Sequence, residues 1–447
     1  MHIRLQHTAL AALFLCAGVA SMHPVSAEDK RAPVTLDKRA VGAFNAIELA
    51  GPFRVIVSAG APRLELSGEP KQLAEIETEV RDGTLVVRQR ARTQFGFHWG
   101  KRDHAEVVVR IGAAGLTRLT NRGSGDVELD AVGGERFVLA SQGPGDIRAR
   151  GGVRELTVTS SGSGDLDLRQ VTANKVALTM SGPGDVHLGA VGNDLAARMS
   201  GSGDLEATDL RLTRAVAQIS GPGGARLRGQ ARELRLELTG SGDFDACELQ
   251  VEQFGSLQRG PGNACVAGNI RQFEAEVNGS GDLEARGLHA GRAVLRMNGP
   301  GNVTLSGTAD ELRADLTGSG ELDGGGLTVR SAMLDSGGPG NMALARVTDT
   351  LDASLHGSGD LSATVEGKRV MLKMRGPGNV ELEGRAERIS AELSGSGTLQ
   401  ARRLTVRQSD INVRGPGSAA VNQVREGSGE RREELVQVER GGRRQSN

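Results

Sequence analysis

The sequence predicts an all-β chain wound as a parallel β-helix with about 19–20 residues per coil. Three observations predict it. Gly-Ser-Gly or Gly-Pro-Gly recurs from Gly123 to Gly415 at spacings of 19 or 20, with Ser and Pro alternating without exception. The positions two, four and six places before the triplets, and four and six places after their first glycines, are mostly apolar, with polar residues between them, as in Leu234, Leu236 and Leu238 around Arg235 and Glu237. Period two with one apolar face is a strand buried on one side, and a period this regular marks a solenoid. Helix-period runs of ten or more residues are missing from this region, which excludes alternating βα units.

Composition agrees with a thin core. The 447 residues include 65 glycines, one tryptophan and no tyrosine, and aromatics are 2%. Leu, Val, Ile, Met and Ala must fill the interior. A net charge of −1 argues against a charged disordered polymer and provides no basic excess for a nucleic-acid partner.

Residues 1–27 read as a signal peptide. Arg4 precedes the apolar run Thr8 to Ala20, and Val25-Ser26-Ala27 supplies the small residues of a cleavage site. Cleavage is expected after Ala27, with Ala20 as the alternative. Cys16 follows Leu15 rather than the small residue that lipidation requires. The run is too short to span a bilayer, and no later stretch is long enough, so the mature chain is expected to be exported, to the periplasm or the cell surface, without a transmembrane segment. Residues 28–39 read as a linker.

Residues 40–120 form an atypical β-rich cap, as the exposed end of a solenoid requires. Asp82-Gly83 between alternating runs marks a hairpin turn. Residues 121–422 are the repeats, expected to hold two short strands per coil and about sixteen coils, a rod of about 75 Å. The outward row Glu128, Arg148, Asp167, His187, Glu206, Arg226, Asp245 alternates in charge. One repeat per coil sets opposite charges side by side; two per coil would build a like-charge column. The triplets are expected to supply positive φ and close backbone approach at a corner. The Asp or Asn that follows most of them is expected to accept backbone amides there. A calcium ladder is the competing reading of these acids, against which the nine-residue Gly-Gly-x-Gly-x-Asp pattern is missing. Residues 423–447 are charged and expected to be disordered.

Chemistry is sparse. No Ser-His-Asp or Cys-His set suggests itself, and His187, His289 and His356 fall at different places in the repeat. No cofactor or metal is expected. Cys247 and Cys265 lie on neighbouring coils with Cα atoms an expected ~8 Å apart, beyond comfortable disulfide reach, although an exported compartment would permit the bond. The one aromatic-dense segment holds Phe95, Phe97 and Trp99 with Lys101 and Arg102. These five are the candidate binding residues; the same aromatics could instead plug the solenoid end.

Gly51-Pro52-Phe53, then Asp82-Gly83-Thr84-Leu85, then repeated Gly-Ser-Gly-Asp resembles the bacterial auto-transporter adhesin, head GIN domain family over roughly residues 40–421. The resemblance implies a secreted right-handed β-helix with an adhesin-like role. The polar tail, without alternating strands or a terminal aromatic, departs from a translocator barrel. The expected function is therefore a non-catalytic, envelope-associated binding or structural role, with a polysaccharide, envelope component or protein as partner. The alternative is a polysaccharide-active β-helix enzyme, a lyase or hydrolase; short corners and few aromatics weigh against it.

Overall fold

The computed structural model describes residues 34–90, 106–427, 430–439 and 443–445. The chain is a β-solenoid of about 15 turns. Positions predicted to point inward do so: Leu234, Leu236 and Leu238 are 0%, 3% and 0% exposed. The interior is one continuous, mostly aliphatic core from Phe44 to Val438, with a few phenylalanines such as Phe137 and Phe244 set into it.

One repeat makes one coil. Glu128 pairs in parallel with Arg148, Arg148 with Asp167, Asp167 with His187, His187 with Glu206, Glu206 with Arg226, and Arg226 with Asp245. A second outward row, Arg136, Glu155, Lys175, Asp194, Arg214, Glu233, alternates in the same way. In it Arg136 reaches Glu155 at 2.9 Å and Lys175 reaches Asp194 at 3.6 Å. The two short strands expected per coil run together as one bent strand in most repeats, as in Ile147–Ser160 and Leu205–Ile219. Pairing slips at a bulge midway, between Arg148 and Arg150 and between Ala207 and Leu210. That bulge is the second corner of the coil.

The triplets act by close approach alone. None of their glycines has positive φ. A β-carbon on Gly143 would overlap the carbonyl oxygen of Gly123, and one on Gly162 that of Gly143. The positive φ expected there occurs instead at the second corner, as at Gly151 (136°), Gly229 (131°) and Gly268 (146°). The Asx residue after the triplet does accept amides: Asp126 Oδ1 from Asp146 N–H (3.1 Å), Asp146 from Asp165 (3.0 Å), Asp165 from Asp185 (2.9 Å) and Asp185 from Asp204 (2.8 Å). Asn263 and Asn302 serve equally, for Asp282 and Glu321. Asp185→Asn should therefore be neutral, whereas Asp185→Ala should cost about 1 kcal/mol or less, the net value of one exposed hydrogen bond; matched thermal melts check both.

The cap is interleaved. Its strands are β1 (Thr35–Arg39), β2 (Ala46–Ala50), β3 (Arg54–Ala59), β4 (Arg63–Gly68), β5 (Ile76–Arg81), β6 (Thr84–Gln89) and β7 (Val108–Ala113), with one helical turn at Pro70–Leu73. β1 lies wholly within the stretch expected to be linker, residues 28–39. β8 (Arg118–Asn121) and β9 (Val127–Val132) follow. β2 is clasped in parallel between β6 and β8, and β3 between β7 and β9. Gly51-Pro52 is thus a degenerate triplet, since a β-carbon on Gly123 would strike Gly51. The predicted hairpin joins β5 to β6, with φ of 48° at Asp82 and 71° at Gly83.

The end of the chain departs from expectation. Residues 430–438 form a strand antiparallel to Ser418–Gly427, and Arg443–Gln445 pairs antiparallel with part of Thr398–Val413. Val436 and Val438 are buried against the last coil. The alternation Leu435-Val436-Gln437-Val438 sits inside a charged stretch, so composition hid a two-residue apolar period that covers the solenoid end.

Candidate binding groove

The five residues singled out in the sequence, Phe95, Phe97, Trp99, Lys101 and Arg102, lie outside the described residues, on the chain between β6 and β7. The described surface offers a different candidate. An open groove of about 1020 Å³ follows the second corner where the cap meets the first coils. A second, of about 640 Å³, continues it along the next coils, and the two share Gly134 and Arg154.

Small residues make the trough. Gly115, Gly133, Gly134, Gly152 and Gly192 line it, with Thr172, Ala173 and Asn174 on the level between Gly152 and Gly192, so no large apolar side chain fills the corner on those levels. The rim is polar. Arg136 is held by Glu155, and Arg154 reaches Glu135 at 3.2 Å. Arg118 and Arg211 also line the groove. Asp209 takes the corner position that glycine holds in other coils, at φ 56°, a conformation that costs a non-glycine residue of order 1 kcal/mol. The groove has a sequence signal that the triplet period overshadows: paired glycines at 133–134 and 151–152, eight to ten places past a triplet.

Elsewhere many charged side chains are paired with one another. Asp167 accepts Arg169 Nε at 2.9 Å and Nη2 at 2.6 Å, together with the Arg169 amide. These bonds push its carboxyl down from 3.8 to about 2 against the opposing effect of burial. A depressed folded pKa contributes stability that is complete above 3.8 and is lost as pH falls through about 2. Arg169→Gln should therefore be less stable than the parent at neutral pH, with the difference closing over that acid window; urea melts at stepped pH check it. His187 Nδ1 stands 3.3 Å from Glu206, and His289 Nδ1 contacts the Gly287 carbonyl.

Cys247 and Cys265 are joined in a disulfide, with Cα atoms 5.3 Å apart. The straight-strand expectation of ~8 Å fails because pairing leaves register after Ala246–Val266. The Cys247 amide folds back onto Asp245 Oδ1 at 3.1 Å, which swings Cys247 over Cys265. Among the described residues, these two cysteines with Glu284 are the one group spaced for a metal, and the bonded sulfurs are not free to bind one. The corner carboxylates already accept amides. We expect the melting temperature to be unchanged by EDTA, and a fall of many degrees would restore the calcium reading.

A long repeat scaffold with stacked coils, paired surface charges and an open groove with a polar rim defines an all-β solenoid. The chain belongs to the family described as "Putative auto-transporter adhesin, head GIN domain", whose model matches residues 43–206, 152–232, 191–269, 224–299, 266–363 and 348–430. Among curated proteins, none matches it. Solved structures similar to it include a "putative adhesin" from Bacteroides fragilis (15% identity, 65% of this chain and 96% of that one, TM-score 0.23). Another is a "putative adhesin" from Parabacteroides distasonis (16%, 67% and 97%, TM-score 0.30). A "Putative lipid binding protein" from the same species is similar at 17%, 66% and 96%, TM-score 0.28. At such TM-scores these likenesses carry no conclusion about this chain. Among the described residues no helix is long and apolar enough to cross a membrane, which says nothing of β-barrels.

Proposed function

We propose that the protein is an exported, non-catalytic binding protein of the bacterial envelope. The observation that carries this reading is membership in an adhesin-head family across residues 43–430. The leader-like residues 1–27 support export. Outer rows of alternating charge support a passive scaffold, because each coil neutralises its neighbour and leaves the surface soluble and even. Function in such a molecule resides in local departures from the repeat.

The test is a glycan array and an envelope-extract pull-down with the chain from residue 28, run beside an assay for released oligosaccharides. Retention of a polysaccharide or envelope component without cleavage is the expected result. Release of products would overturn the reading in favour of the enzyme.

A further inference from the structure

We infer that the second-corner groove holds a single neutral, linear, β-linked polysaccharide chain lying along the solenoid axis. This rests on the binding role proposed above and deepens it.

The groove runs lengthwise. Its lining passes from Arg118 through Arg136, Arg154 and Asn174 to Arg211, one polar side chain on most successive levels. Those levels are stacked in parallel register, Arg118 beneath Val138, Arg136 beneath Glu155, Glu155 beneath Lys175, and onward to Asp194 and Arg214. Six levels at one strand spacing make a trough of about 24 Å. A polymer whose units repeat near that spacing meets a polar side chain at most steps, the level of Ala190, Val191 and Gly192 being without one. The rings of an extended β-1,4-linked glycan repeat near it. An extended peptide, rising about 3.4 Å per residue, drifts out of phase within two coils.

Charge selects a neutral chain. Arg118, Arg136, Arg154 and Arg211 are balanced by Asp130, Glu135, Glu155 and Asp209. An acidic polymer would meet four carboxylates and a basic one four guanidiniums. Sugar hydroxyls both donate and accept, and fit a mixed rim. The glycine floor lets the chain approach the backbone closely.

The probes are neutral β-1,4-glucan and β-1,4-xylan ladders from dimer to hexamer, with oligogalacturonate and chitosan ladders for comparison. Affinity for a neutral ladder should rise ring by ring to the hexamer and exceed that for either charged ladder. Gly133 is suited to a block, because a β-carbon there has no neighbour closer than 3.9 Å and its φ is not positive. Gly133→Trp should weaken binding about tenfold or more. Gly255→Trp, at an open position on another part of the coil, should leave it unchanged. Arg154→Ala, which adds no bulk, should weaken binding with an unaltered melt, so that a misfolded Gly133→Trp does not decide the matter.

Failure of the wild type to bind either neutral ladder, or preference for a charged one, overturns the inference. So does full affinity in Gly133→Trp and Arg154→Ala. If the glycan array finds a ligand that both variants still hold, the adhesin-like reading stands and the groove falls. If array and pull-down are both blank, the broader reading falls as well.

Discussion

Gly201→Ala should destabilise its part of the solenoid by about 3 kcal/mol or more, an effect far beyond the ordinary cost of alanine for glycine in a strand. The new β-carbon would overlap the Gly182 carbonyl and the Ser181 backbone. Neither can rotate away as a side chain could, so the coils must separate, breaking the stacked bonds such as Ser200 N–H to Met180 O at 2.8 Å. Gly255→Ala is the matched control, because nothing lies within 4 Å of its β-carbon; it should change stability by no more than about 0.5 kcal/mol. Since coils of a solenoid can open locally, hydrogen exchange across residues 180–220 is the sharper readout. Unchanged protection in Gly201→Ala would refute the close-approach account of the triplets.

Loss of the Cys247–Cys265 bond should cost about 3 kcal/mol, the chain-entropy expectation for a closed segment of this size, the cysteines being 18 residues apart. The bond lies where pairing slips twice between Phe244–Gln258 and Ala264–Val277. The corner ladder is intact across this seam, Asp243 Oδ1 accepting the Asn263 amide at 2.8 Å, so the disulfide holds the part of the coil where backbone pairing lapses. Cys247→Ser with Cys265→Ser, or a dithiol reductant, should lower the melt and speed exchange over residues 244–277. A melt that does not move would show the seam to be held by packing, with Phe254 and Phe273 stacked at 5.9 Å across it.

The parts of this molecule that were legible in its sequence are those set by the period. Inward positions, one repeat per coil, the neighbouring of Glu128 and Arg148, and the amide-accepting corner Asx residues all follow once the triplets are aligned. What escaped depends on where each coil departs from its period. Repeat lengths of both 19 and 20 must be absorbed somewhere, and the second-corner bulge absorbs them. Positive φ, the Cys247–Cys265 contact and the trough at Gly133 and Gly134 all sit at or beside that bulge. Gly51-Pro52 was hidden for another reason. Its stacking partner, Gly123, is 72 residues away because β4 to β7 intervene. The candidate binding residues around Trp99 lie outside the described residues, on the chain between β6 and β7.

The interleaved cap gives the rod a strong end and a weak one under tension. At the C-terminal end an antiparallel hairpin borders the last coil, and a pull along the chain peels such pairs one bond at a time. At the other end β2 and β3 are clasped on both sides by segments that come later in the chain, so pulling them out shears two parallel ladders together. A molecule tethered at one end and loaded at the other should thus yield from its C-terminal coils inward. The groove beside the cap lies in the half that yields last, which would keep a grip on its ligand while the rest of the rod pays out as slack.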